Sequence, residues 1–173
     1  MTDARPPAVL AGEDLELWAG LATILEWLPP ALDGPLVSNF DLTHFEYGIL
    51  FALADAPGRS HRMSDLAGFA NSSLSRLSRA VSRLQSRGWV ERSQDPKDGR
   101  AMRATLTDAG LKVLDDATPD HVDTVRELVL NPLTVAQKRQ LRGITMRIQQ
   151  AIREQKGWQP PPGLRSSTAS DST

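Results

Sequence analysis

Apolar side chains recur at helical spacing through most of the chain, and one stretch adds a second stripe of different chemistry. Leu74, Leu77, Val81 and Leu84 fall at steps of three and four, so they share one face of a helix, and that face must meet a core. Arg76, Arg79, Arg83 and Arg87 repeat at the same steps, displaced around the cylinder, and Ser72, Ser73, Ser75, Ser78, Ser82 and Ser86 fill the surface beside them. Serine competes for backbone hydrogen bonds and is a modest helix former, so six on one helix call for a reason other than helix stability. Short hydroxyls let a backbone approach a phosphate or a base edge and can donate to either. Asn71 or Ser72 is the expected N-cap, and Gly88 the residue that ends the helix. A brief helix over residues 65–69, capped by Ser64 with Leu66 and Phe69 inward, precedes it across a turn at Ala70-Asn71. Residues 89–93 and 102–106 alternate as two strands around a turn cluster at residues 95–99. A short helix, a turn, a longer polar-faced helix and a hairpin predict a winged helix-turn-helix.

The flanking pattern is helical. A first helix begins at Glu13 or Asp14 and is apolar on two faces, with Leu15, Trp18, Ala22 and Leu25 on one and Leu17, Leu21, Ile24 and Leu28 on the other. Such a helix needs cover on both sides, and in a chain this small the second cover is a partner subunit. Pro29-Pro30 should end or kink it. Thr43 and Glu46 form a capping box for a second helix with Phe45, Ile49, Leu50, Leu53 and Ala54 inward, stopped by Ala56-Pro57-Gly58; residues 59–63 read as an extended link. Thr107 caps a helix carrying Leu111, Leu114, Val122, Val125, Leu128 and Val129, with Pro119 predicting a kink over residues 117–120. Thr134 and Gln137 make another capping box, opening a last helix with Leu141, Ile144, Ile148 and Ile152 that stops at Gly157. The predicted fold is therefore mainly α with a small β wing. Residues 1–11 read as a flexible arm, 12–36 and 107–157 as dimerisation helices, 37–106 as the winged helix-turn-helix DNA-binding lobe, and 158–173 as a disordered tail.

Charge changes the picture. The 173 residues carry a net charge of only −1, which by itself argues against a polyanionic partner. Yet residues 1–58 hold nine acidic side chains against one basic, whereas residues 59–103 hold ten basic against four acidic. Phosphate contacts depend on the local field, and the predicted recognition helix contains no acidic residue at all. Cysteine is absent, which excludes disulfides, thiolate metal sites and thiol-based sensing. His44, His61 and His121 lie far apart without metal-ligand spacing, and no nucleophile motif or phosphate loop is present, so neither an enzyme, a metal site nor a cofactor is expected. No apolar run spans a membrane and no signal-peptide pattern opens the chain, which makes a cytoplasmic location the expectation.

The stretch Arg87-Gly88-Trp89-Val90-Glu91-Arg92, continuing through Asp95-Pro96-Lys97-Asp98-Gly99-Arg100 to Leu106-Thr107-Asp108-Ala109-Gly110, resembles the wing signature of the MarR (multiple antibiotic resistance regulator) family. The likeness extends over residues 15–152. It implies an obligate homodimer in which the first, fifth and sixth helices interlock, and a recognition helix entering the major groove of a palindromic half-site. It also implies that Arg100 enters the neighbouring minor groove, oriented by Asp98; a narrow minor groove concentrates negative potential, which arginine answers without a base code. Many members carry another arginine where this chain has Gly99, which loosens the wing tip and removes a cation that Lys97 partly restores. Ser72, Ser73, Ser75, Arg76, Ser78, Arg79, Arg83, Lys97, Asp98, Arg100 and Arg103 are thus the expected contacts to double-stranded DNA. The resemblance further implies a small aromatic or phenolic ligand that alters DNA affinity, for which Trp18, Trp27, His44, Tyr47 and Phe51 on the first two helices are the candidates. The expected function is a sequence-specific transcriptional regulator, most simply a repressor. The competing readings are a winged-helix dimer turned protein-interaction module and a non-specific architectural DNA binder.

Overall fold

The computed structural model describes residues 9–156. Six α-helices run in chain order: α1 (Gly12–Phe40), α2 (His44–Ala54), α3 (Met63–Phe69), α4 (Leu74–Ser86), α5 (Asp108–Val125) and α6 (Val135–Lys156). Three strands, β1 (Ser60–Arg62), β2 (Val90–Asp95) and β3 (Asp98–Leu106), form an antiparallel sheet in the order β1-β3-β2. The hairpin is therefore three-stranded, because the expected extended link pairs with β3, Ser60 opposite Thr105 and Arg62 opposite Arg103. The core gathers Leu36 and Leu42 with Ile49, Leu50 and Leu53 of α2, Leu66 of α3, Leu77, Val81 and Leu84 of α4, Val90 and Leu106 of the sheet, and Leu114 of α5.

The capping residues act as the sequence predicts at Thr43 and Glu46, at Thr107, and at Thr134 and Gln137. Elsewhere the boundaries move. α3 starts two residues before Asp65, with Arg62 at the cap position and Ser64 inside the helix. Ser73, not Asn71 or Ser72, caps α4 by accepting the Arg76 N–H. Asn71 instead adopts φ +47 in the turn between α3 and α4, a left-handed conformation that asparagine tolerates. Leu74, expected in the core stripe, is 54% exposed, because at the first turn of α4 that face has already run past the packed body.

Pro29 and Pro30 do not end α1, which continues unbroken past residue 36 to Phe40 with Pro35 also inside it. Each proline deletes one ladder hydrogen bond. Beyond them Leu32 and Leu36 are buried, and Asn39 donates to Asp120 of α5 at 2.7 Å, so tertiary contacts hold the last turns. α5 likewise runs through Pro119, and an unforeseen π-helical turn, Arg126–Leu130, follows it, closed by the Asn131 N–H on the Arg126 carbonyl. The N-terminal half of α1 and nearly all of α6 are exposed, including Leu17, Trp18, Ile24, Leu25, Trp27, Leu141, Ile144, Ile148 and Ile152. The expected stop at Gly157, the tail over 158–173 and most of the 1–11 arm lie outside the described residues.

Gly110 ties the wing to α5. A Cβ there would stand 2.2 Å from the Trp89 carbonyl oxygen and 2.8 Å from Leu106 Cδ1, so the helix passes the start of β2 at a distance only glycine permits. Gly110→Ala should destabilise the protein by roughly 1–3 kcal/mol despite alanine's better helix propensity. Gly48→Ala, on an exposed face of α2 with nothing within 4 Å, should be neutral or stabilising. Chemical denaturation of the two variants checks both outcomes.

Candidate nucleic-acid interface

α4 buries Leu77, Val81 and Leu84 and so turns the opposite arc outward. Arg79 and Ser75 lie on that arc, exposed, with Arg76 beside them. The Arg76 guanidinium sits 4.2 Å from the centre of the Phe45 ring, a cation–π contact that aligns it along α2. The serines divide by environment. Ser82 and Ser86 donate to the Ser78 and Arg83 carbonyls of their own helix, while Ser72, Ser73 and Ser75 cluster at its N-terminus. The extended cationic stripe does not survive as four free arginines. Arg83 Nε lies 2.9 Å from Oε1 of Glu46, whose residue is only 3% exposed. That carboxylate also accepts the Thr43 N–H and hydroxyl, so a single buried acid fastens the start of α2 to the middle of α4. Arg87 donates to the carbonyl and carboxylate of Asp41 and lies over the Trp89 ring.

The wing is built on another buried acid. A register shift between Gln94 and Asp95 turns the Asp95 side chain inward, where it is 3% exposed. Arg62 Nε of β1 donates to it at 2.8 Å and Arg103 Nη1 of β3 at 3.2 Å, and its other oxygen accepts the Lys97 and Asp98 N–H groups of the turn. The hydrogen bond from Arg62, then that from the Lys97 backbone, hold this carboxyl far below the ordinary aspartate range. Arg103 also donates to the Ser60 hydroxyl and carbonyl, each at 3.1 Å. Its guanidinium, expected among the DNA contacts, is thus committed within the sheet, between β1 and the Asp95 carboxylate. Asp98 accepts the backbone N–H of Arg100 at 3.1 Å, so it shapes the tip rather than gripping the guanidinium. Lys97, Gly99 and Arg100 are exposed there. Gly99 has no atom within 4 Å of the site of a Cβ, so nothing steric demands the glycine.

Of the residues considered for a small ligand, His44, Tyr47 and Phe51 come together. Tyr47 stacks on Phe51 at 6.4 Å, the His121 ring of α5 lies tilted against Tyr47 at 4.2 Å, and His121 stacks on His44 at 5.2 Å. His121 joins this group from far along the chain, and no local pattern marks it. Burial lowers the pKa of both His44 and His121, opposed at His44 by the nearby Asp33 carboxylate, and each Nδ1 lies buried without a partner. Trp18 and Trp27, 50% and 73% exposed on α1, make no ring contact with the cluster. Among the described residues no cluster of three or more metal-ligating side chains occurs, and no helix is long and apolar enough to cross a membrane.

A helix-turn-helix carrying a three-stranded wing, with exposed cations on both, defines a winged-helix protein of the transcription-regulator class. Comparison with known proteins agrees. The profile of the MarR family matches residues 40–101. Sco3205, a MarR family transcriptional regulator from Streptomyces coelicolor solved in complex with DNA, is 38% identical with a TM-score of 0.81, over 83% of this chain and 94% of that one. AbsC, another MarR family regulator of the same organism, is 29% identical with a TM-score of 0.80, over 85% of this chain and 99% of that one. The uncharacterised HTH-type transcriptional regulator YdcH of Bacillus subtilis is 31% identical over 88 residues, which are 50% of this chain and 60% of its own length. The chain belongs to the MarR family.

Because Asp95 is ionised in the fold at far lower pH than in an unfolded chain, its contribution is complete above the ordinary aspartate value near ~3.9 and fades only as pH falls below it. Asp95→Asn should therefore lower the melting temperature by a constant amount between pH 5 and 8, with the gap to the native protein closing under stronger acid; thermal melts across this range measure it. A gap that widened on acidification would contradict the assignment.

Proposed function

We propose that the protein is a sequence-specific transcriptional regulator that binds palindromic operator DNA as a homodimer. The observation that carries this reading is the pairing of two exposed cationic readers on one rigid lobe, Arg79 with Ser75 and Arg76 on α4, and Arg100 with Lys97 at the wing. The helix presents hydroxyl and guanidinium donors to a major groove, and Arg100 reaches for the adjacent minor groove. Ser72, Ser73 and Ser78 complete the helix side, and Asp98 serves by shaping the turn that presents Arg100. Arg83 and Arg103 act from behind, the first locking α4 to α2 and the second holding the sheet together. A dimer seated on promoter DNA excludes the polymerase, so repression is the simplest outcome.

Two features support the homodimer. α1 carries Glu13, Asp14, Glu16, Glu26 and Asp33 and no basic residue, whereas α6 carries Lys138, Arg139, Arg142, Arg147, Arg153 and Lys156 against Glu154 alone. Their exposed apolar stripes, flanked by opposite charge, fit a second copy of the same chain. The aromatic and imidazole cluster of His44, Tyr47, Phe51 and His121 lies where α2 of the DNA lobe meets α5, and we assign it as the place where a small aromatic or phenolic ligand would alter DNA affinity. DNA binding that is unchanged by any simple aromatic carboxylate or phenol would remove that assignment.

Binding to DNA from around the protein's own gene, compared with scrambled DNA at two salt concentrations, tests the central reading; at physiological salt the native site should win by roughly a thousandfold. Arg79→Ala should cost roughly 1–3 kcal/mol of specific binding without lowering the melting temperature. Arg83→Ala should do the reverse first, destabilising the fold because it leaves the Glu46 carboxylate buried without its ion pair. Leu141→Asp should dissociate the dimer in sedimentation velocity, and a variant that still sediments as the native species would take α6 out of the interface.

A further inference from the structure

Between the wing tip and α4 lies an open groove of about 320 Å³, walled by Met63, Leu74, Ser78, Arg92, Arg100 and Met102. Leu74 and Met102 on its two sides are 54% and 41% exposed, so apolar packing does not fix its width. One side chain bridges the wing and the helix here. Arg92 shares the inner face of β2 with Val90, two residues away, and points toward α4. Its Nη2 donates to the Ser78 carbonyl and, at 2.8 Å, to the Ser82 hydroxyl, which itself donates to that carbonyl at 2.9 Å. Its Nε is buried without a partner. Among the described residues no other side-chain hydrogen bond joins β2 or β3 to α4.

We infer that Arg92 is a positioning residue for DNA recognition, strapping the wing to α4 at the separation that lets Arg79 and Arg100 engage neighbouring grooves together. The inference rests on the DNA-binding reading above. Two readers on one rigid body contribute fully only if their spacing is set before binding, since otherwise the order must be acquired on the DNA. Asp95 fixes the wing internally through Arg62 and Arg103, but all of those contacts stay within the sheet and its turn. Among the described residues Arg92 alone carries that order across to the helix by side-chain hydrogen bonds, beyond the base of the sheet where Val90 shares the core with α4. Both bonds leave one terminal nitrogen, Nη2, which the rigid guanidinium plane holds in place, whereas a lysine ammonium rides on a flexible stem and is not held so.

The test uses the full-length protein and a duplex enriched by the wild type from random-sequence DNA. Affinities are measured over a salt series for wild type, Arg92→Ala, Arg92→Lys and Ser82→Ala, each with and without Arg100→Ala. Arg92→Ala should weaken binding about tenfold or more and leave the salt slope unchanged, with Lys failing to rescue it and Ser82→Ala giving part of the loss. Arg100→Ala should then cost little more in the Arg92→Ala background, although it costs much in the wild type, because a wing without its strap no longer presents the residue. Overturning results are a salt slope reduced by about one, rescue by lysine and full additivity with Arg100→Ala; Arg92 would then be a phosphate contact. Hydrogen exchange on the free protein decides the strap independently. Faster exchange at residues 94–102 in Arg92→Ala, with α2 and α5 unchanged, supports it, and identical exchange overturns it. Wild type that fails to separate the enriched duplex from scrambled DNA sinks the regulator reading instead, with the exchange result still standing.

Discussion

The wing depends on one carboxylate. Asp95 sits where β2 bulges, and from there it reaches both other members of the sheet and the turn that links two of them. An acid so deeply buried would be intolerable alone; its cost is offset because two guanidiniums and two backbone donors converge on it. The same device recurs at Glu46, where a buried acid joins the first turn of α2 to Arg83. Both acids turn arginines inward. The lobe therefore owes its rigidity to cations that a charge count would assign to its partner, and its outward field to the smaller set left at Arg76, Arg79, Lys97 and Arg100.

This division explains how much could be read from the chain. Helix caps are local, since Thr43 with Glu46 and Thr134 with Gln137 are three residues apart and need nothing else. The core stripe Leu77-Val81-Leu84 is equally local, as is the C-terminal Gly88 with its positive φ. What stayed hidden depends on contacts across long separations. β1 is three residues long, too short to alternate visibly, and becomes a strand only because β3 pairs with it. Arg83 and Arg103 sit in pattern positions that suit DNA, and only the fold reveals Glu46 and Asp95 opposite them. His121 carried no motif at all, and Arg92, although part of the wing signature, gave no sign of its partners on α4.

The prolines of α1 teach a related lesson. Their local effect is real, since each removes a donor from the ladder, yet Leu32 and Leu36 beyond them are packed into the body. Burial there outweighs the lost hydrogen bonds, so a strong local stop signal becomes an internal feature of a 29-residue helix. Continuity through this segment matters, because α1 and α5 meet there and form the support on which α2, and with it α4, is mounted.

α6 has a different consequence. A 22-residue helix exposed along almost its whole length, with a net positive face and an apolar stripe, has little in its own protomer to keep it helical. In the homodimer proposed above its cover comes from another copy, which would make folding and association a single mass-action event. The population of competent regulator then varies more steeply than linearly with the amount of chain present. At scarce levels a doubling of synthesis yields more than a doubling of working molecules, and dilution, as at cell growth without synthesis, removes them faster than it removes the polypeptide.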